Sequence, residues 1–308
     1  MPATALAQSA IPDGREWIAT ALRDDGFRLA SALESPADDN ANAASDDAGG
    51  IQDNSFFIEE AYNQDPRVVQ HIFNGLYTWD QDDGTRTRRF DFTFTQEWPV
   101  GSQTHQLSYT VPVSWIAEHT DGSSTTHDSG IGDVAFNYRY QALGVDADSL
   151  WFAPRFTVIV PTGDEDRGLG RGVTGYQVDL PFSREVGNFA FHLNAGATVF
   201  PNADAALDGG GRSSDHDLLG FNLGVSAILI ESPVIQPLIE IFGNFDHDID
   251  DEGGLDRTTS VTASPGFRWS PYTHGETQIV VGSALPIGLT KDAADIGVFL
   301  YFSVEHGF

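Results

Sequence analysis

The chain has 308 residues with 45 acidic against 16 basic side chains, a formal charge of -29, and no cysteine. So acidic a surface repels phosphate backbones and excludes a nucleic-acid partner, and the missing thiols exclude a disulfide framework, a Cys nucleophile and a Cys-type zinc site. At 40% apolar and 11% aromatic the chain is too hydrophobic to be disordered throughout, while 32 Gly and 15 Pro count against a mainly helical protein.

At the start, Ala5-Leu6-Ala7 has the small-residue pattern of a signal-peptidase site but lacks the basic and apolar regions that normally precede one. It reads equally as the remnant of a secretory signal peptide or as an ordinary N-terminus. Asp13 can cap a short helix carrying Trp17, Ile18, Ala21 and Leu22, and the acidic low-complexity stretch 37–50 predicts a disordered linker. Residues 1–54 are therefore expected to be a flexible acidic segment. Residues 55–67 are expected either to add a strand to the domain 55–308 or to fold inside it as a plug.

From there the period changes to two. In Phe90-Asp91-Phe92-Thr93-Phe94-Thr95-Gln96-Glu97-Trp98 aromatic and polar side chains alternate, as on a strand with two unlike faces. The same alternation marks about twelve segments: 68–80, 86–99, 103–118, 130–143, 149–162, 173–184, 188–200, 216–230, 233–245, 257–270, 275–287 and 294–307. Most exceed the roughly 9–11 residues a tilted strand needs to cross a bilayer, whereas globular strands average about 5–6. The links between them alternate between tight turns, such as Gly101-Ser102 and Glu231-Ser232, and longer Asp- and Gly-rich loops at about 119–129, 163–172, 201–215 and 246–256. Long loops gathered at one end, over short turns at the other, are the signature of a transmembrane barrel with extracellular loops and periplasmic turns. A bilayer leaves no unpaired sheet edge satisfied, so the sheet must close. The predicted fold is all-β: a closed antiparallel transmembrane β-barrel of about twelve strands.

If the apolar parity faces lipid, then Asp91, Glu97, Asp133, Arg139, Arg155, Asp179, His192, Glu240, Arg268 and Glu305 point into the lumen. Buried charges need partners or water, so these residues either line a conducting path and set its selectivity or form a salt-bridge network that fills the barrel. The acidic loop holding Asp246, Asp248 and Asp250 has the opening spacing of an EF-hand, but Asp251 stands at the turn glycine and Arg257 at the closing glutamate. That leaves a loose Ca or Mg site at the acidic loops as the only cofactor to weigh, against a merely solvated loop. Gly170-Arg171-Gly172-Val173-Thr174-Gly175 matches G-x-G-x-x-G but enters a strand rather than a helix, which excludes dinucleotide binding. With no G-x-S-x-G, no H-E-x-x-H and scattered histidines, the chain is expected not to be an enzyme.

The sequence Ser55-Phe56-Phe57-Ile58-Glu59-Glu60-Ala61-Tyr62-Asn63-Gln64, with Pro66 and Val68-Val69-Gln70-His71-Ile72 after it, resembles the opening motif of the MetA-pathway phenol-degradation family of outer-membrane proteins, often labelled "transporter". Gly130-Ile131-Gly132-Asp133-Val134-Ala135-Phe136-Asn137-Tyr138-Arg139-Tyr140 resembles its second motif, and the terminal Phe308 resembles the insertion signal of bacterial outer-membrane barrels. The resemblance implies a Gram-negative outer-membrane location, contact with membrane lipid and with the barrel-insertion machinery, and passage of small solutes. It implies no substrate. A non-conducting structural or surface-interaction barrel, and below it a soluble acidic β-barrel or sandwich, are the alternatives.

Overall fold

A computed structural model describes residue 51 and residues 55–82, 84–144, 150–203, 216–250 and 253–308. The expected helix after Asp13, the linker 37–50, the signal-like start and residues 204–215 of one acidic loop lie outside these described residues. The strands are β1 (Val68–Asp82), β2 (Thr85–Val100), β3 (Ser102–Thr120), β4 (Thr126–Ile131), β5 (Val134–Tyr140), β6 (Trp151–Phe152), β7 (Arg155–Val160), β8 (Gly175–Val186), β9 (Phe189–Ala203), β10 (His216–Leu229), β11 (Ile235–Ile249), β12 (Leu255–His274), β13 (Thr277–Ala284), β14 (Ile287–Gly288) and β15 (Ile296–Gly307).

All pairings are antiparallel, and the ladder closes where β15 meets β1, with Val68 opposite Gly307 and Trp79 opposite Ile296. Three wall positions are each filled by two pieces in line: β4 and β5 beside β3, β6 and β7 beside β8, β13 and β14 between β12 and β15. The result is a closed barrel of twelve wall strands. Two of the breaks fall at Pro154 and Pro286, which have no N–H to give the ladder. The third falls at Gly132-Asp133, where Asp133 turns inward.

Both ends of the wall, Val68 and Gly307, lie at one rim, with two-residue turns such as Gly187-Asn188 and Gly275-Glu276. Gly187 and Gly275 have φ of 59° and 60°, a left-handed conformation that glycine adopts without steric cost. We call this the terminal rim, and the opposite one the loop rim.

Side chains alternate across the wall. On β9, Phe189, Phe191 and Leu193 face out, whereas Ala190, His192 and Asn194 are buried inside. The outer face is apolar, with rings packed along the closing seam: Phe73 lies 5.1 Å from Phe94 and 5.8 Å from Phe302 between centroids. Such a surface suits hydrocarbon, and the charged and amide side chains are gathered inside.

Several strands run further than the alternation indicates. β11 continues to Ile249, paired with Leu255, so Asp246 and Asp248 belong to a strand instead of the loop expected at 246–256. Likewise β3 extends to Thr120 and β4 begins at Thr126 inside the loop expected at 119–129. Backbone hydrogen bonding is indifferent to side-chain polarity, so a ladder can continue past the apolar band where Asp and Thr side chains are hydrated.

Candidate functional site

The interior is occupied by the chain itself. Residues 55–64 contribute no strand; they cross the lumen, and each is at most 3% exposed. The wall presents the segment with an apolar flank and a polar one.

On the apolar flank, Ile51, Phe56, Phe57 and Ile58 join Ile72, Leu76, Ile228, Leu238, Phe242, Val280 and Phe299 in one buried cluster. The Phe57 ring lies 4.7 Å from Phe242 and 4.6 Å from Phe299, and Phe56 lies 5.1 Å from Phe299. Small wall residues make the room: a Cβ on Gly224 would collide with Ile58, and one on Gly282 with the Phe56 ring. Beside this cluster Glu240 grips the backbone. Its Oε1 accepts from the N–H groups of Phe56, Phe57 and Ile58 at 2.9, 2.8 and 2.9 Å and from Ser55 Oγ at 2.7 Å. Successive N–H groups converging on one carboxylate form an anion nest, so an irregular backbone is satisfied without a sheet.

On the polar flank, Glu59 meets two guanidinium groups, Arg139 Nη2 at 2.7 Å and Arg155 Nε at 2.8 Å. Arg155 also lies 3.3 Å from Asp179 and donates to Asn137, Thr157 and Gln177. Arg139 donates to the Tyr62 carbonyl at 2.8 Å. Glu60 pairs with Arg268 at 3.1 Å and lies 3.6 Å from His192. Asn194 accepts from the Glu59 N–H and donates to the Glu59 carbonyl, engaging the two peptide groups that flank the Glu59 Cα. Amides then carry the segment to the terminal rim: Ala61 N–H donates to Ser183, Asn63 N–H to Gln141, and Gln64 N–H to Gln106. The Tyr62 ring meets the Trp151 edge at 5.1 Å.

Of the residues with inward parity, Arg139, Arg155, His192, Glu240 and Arg268 contact this segment or the cluster around it, and Asp179 supports Arg155. Glu305 accepts from Gln64 at 3.3 Å, and Glu97 accepts from Gln106 at 2.9 Å. Asp91 lies apart, bound by Arg89 Nε at 2.8 Å and by Ser114 Oγ at 2.6 Å. Asp133 sits at the loop rim, where it accepts from the N–H groups of Gly163 and Arg171. Phe308 is exposed at the terminal rim, its N–H donating to the Arg67 carbonyl at 2.9 Å.

The link 163–172, expected as an open extracellular loop, bends inward over the barrel mouth, burying Leu169. Arg171 lies 2.7 Å from Asp248 and stacks over the Phe200 ring at 5.7 Å. The expected trio Asp246, Asp248 and Asp250 is therefore divided: Asp248 binds Arg171, and Asp250 accepts from the Gly254 N–H. Among the described residues no three His, Cys, Asp or Glu side chains gather into a metal-binding group. Gly170 packs against Asp133 and β8 follows at Gly175, so G-x-G-x-x-G opens no helix.

Cavities lie toward both rims of the barrel. One of about 200 Å³ at the terminal rim is lined by Asn63, Gln64, Gln103, Glu276, Gln278 and Glu305. The other, about 40 Å³ beneath the link 163–172, is lined by residues including Arg89, Phe200, Leu218, Asn222 and Asp246. The parity argument did not single out Arg89, although it shares Asp91's parity, nor the segment carboxylates Glu59 and Glu60. A pair of acids set directly after three apolar residues, outside any alternation, was the signal for the latter.

A family model described as "Putative MetA-pathway of phenol degradation" matches residues 63–271. No curated protein matches the chain. Among solved structures the fold is similar to an outer membrane channel from Pseudomonas putida F1, at 12% identity and a TM-score of 0.62, covering 80% of this chain and 98% of that one. It is also similar to the translocator domain of the autotransporter NalP from Neisseria meningitidis, at 11% identity and a TM-score of 0.51, covering 80% of this chain and 90% of that one. The transport unit of the autotransporter AIDA-I from Escherichia coli gives 11% identity and a TM-score of 0.51, with 79% and 90% covered. At these identities the likeness is one of fold: an outer-membrane barrel.

Proposed function

Because this chain belongs to the MetA-pathway phenol-degradation family, we propose that it is an outer-membrane channel for small solutes in a Gram-negative bacterium, held shut by its own residues 55–64. One observation carries the reading. The closing segment is no part of the wall: the ladder closes without it, and side chains and backbone N–H groups hold it inside a largely polar interior. When it leaves, the charged and amide groups it covers can hydrate, and the wall encloses a water-filled path. The terminal rim with its two-residue turns faces the periplasm and the loop rim faces outside. The family's description mentions phenol, but the polar flank gives no ground for choosing phenol as the solute.

The burial of the whole segment favours a second reading, a barrel that does not conduct. Single-channel recording in planar bilayers separates the two. The wild type is expected to be mostly closed, with Glu59→Ala and Phe57→Ala opening more often. Silence from all three, when heat-modifiable migration proves each barrel folded, would leave the non-conducting barrel.

A further inference from the structure

Three arginines from different wall strands, Arg139 on β5, Arg155 on β7 and Arg268 on β12, are buried within the lumen at 1%, 3% and 1% exposure. A guanidinium removed from water must be neutralised. Within the wall, Asp179 serves Arg155, and two further carboxylates come from the segment: Glu59, shared by Arg139 and Arg155, and Glu60, on Arg268. The shared carboxylate is held as a ligand would be. A single oxygen, Glu59 Oε1, receives Arg139 Nη2 at 2.7 Å and Arg155 Nε at 2.8 Å, and Arg155 Nε also reaches Oε2 at 3.2 Å. Two of the arginines are themselves fixed by the wall, Arg155 by Asn137, Thr157 and Gln177 and Arg268 by Gln236 at 2.9 Å, whereas Arg139 reaches from β5 to the segment, donating to Glu59 and to the Tyr62 carbonyl. A pair of guanidinium groups around one carboxylate position is a recognition geometry, and its Arg155 half outlasts the occupant because the wall holds it.

We propose that Arg139, Arg155 and Arg268 form a binding site for small organic carboxylates, and that Glu59 and Glu60 occupy it as internal substitutes for that ligand. The inference rests on the channel reading and assigns the solute class. An entering carboxylate takes the Glu59 position, its charge replacing that of the departing segment, so binding of solute and release of residues 55–64 are one exchange. Asp179, on the far side of Arg155, is the wall carboxylate nearest this position; Glu240 is turned to the segment backbone, Glu97 is held by Gln106, and Glu305 receives Gln64.

The test uses the full chain in detergent with Glu59→Gln and Glu60→Gln combined, which removes the internal anions while keeping side-chain volume. Calorimetric titration with succinate is expected to show binding by this variant at least tenfold tighter than by the wild type. Adding Arg155→Gln should weaken it by at least tenfold, and 1,4-butanediol, matched in length but uncharged, should not bind. Heat-modifiable migration verifies that each barrel is folded, and Glu59→Gln alone serves if the pair does not fold. A folded variant that ignores succinate, or one whose affinity survives Arg155→Gln, overturns the proposal. In planar bilayers succinate should interrupt the variant's current. Binding in detergent from a barrel that carries no current upholds the site and removes the channel reading instead; a current indifferent to succinate overturns the site while leaving the channel.

Discussion

The two flanks of the lumen hold one short segment by different forces. Against β10 to β15 and β1, residues 56–58 are held by apolar contact, with Glu240 satisfying their backbone. Residues 59–64 are held by ion pairs and amide hydrogen bonds, mostly against β3 to β9 and also to Arg268 on β12 and Glu305 on β15. Apolar contact is non-directional and varies smoothly with the area buried, whereas a buried ion pair fails sharply once one partner is lost. The apolar flank therefore anchors the segment, and the polar flank is where charge can release it.

Substitutions can break or sharpen that contrast. The largest effect is expected from Glu59→Ala, which leaves two buried guanidinium groups without their shared carboxylate; losing one partner of a buried pair costs about 3–5 kcal/mol. It should appear as new protease cleavage within residues 55–64 while the wall keeps its heat-modifiable mobility. Phe57→Ala, which empties the space against Phe242 and Phe299, should cost about 3 kcal/mol, read as a lowered thermal midpoint, and unlike Glu59→Ala it should not be rescued by added acetate. Glu240→Gln keeps an acceptor but removes the charge from the nest, a loss of about 2 kcal/mol. Gly282→Ala pushes a methyl group toward the Phe56 ring and should cost about 1 kcal/mol, since the end of a side chain can shift. At the half-exposed rim, Arg167→Ala breaks its 3.1 Å pair with Asp128 and should change stability by less than about 0.5 kcal/mol. Equal effects on the two flanks would refute the division.

Much of the wall was legible because a strand repeats every two residues. Phe189, Phe191 and Leu193 against His192 and Asn194 state which way β9 faces before any partner is known. The breaks at Pro154 and Pro286 were not legible: the alternation reads 149–162 and 275–287 as unbroken, and prolines such as Pro112 and Pro237 stand inside continuous strands. Strand ends were less legible. Asp246 and Asp248 look like loop residues, yet β11 carries them because its ladder with β12 continues to Ile249. Their partners were illegible: Arg171 and Asp248 stand 77 residues apart and meet because the link 163–172 bends inward.

Alternation along the chain and the charge balance were enough to determine a barrel with an apolar outside and a polar inside, because each residue's face follows from its neighbours by geometry. What occupies the inside was decided by tertiary structure alone. Residues 55–64 have no period to read, and whether Glu59 meets water, a neighbouring strand or two arginines depends on closing a sheet that pairs Val68 with Gly307, 239 residues away. Closure brings Arg139, Arg155 and Arg268 around one space. Once they face each other there, out of contact with water, they demand carboxylates, and the segment that precedes β1 supplies two of them.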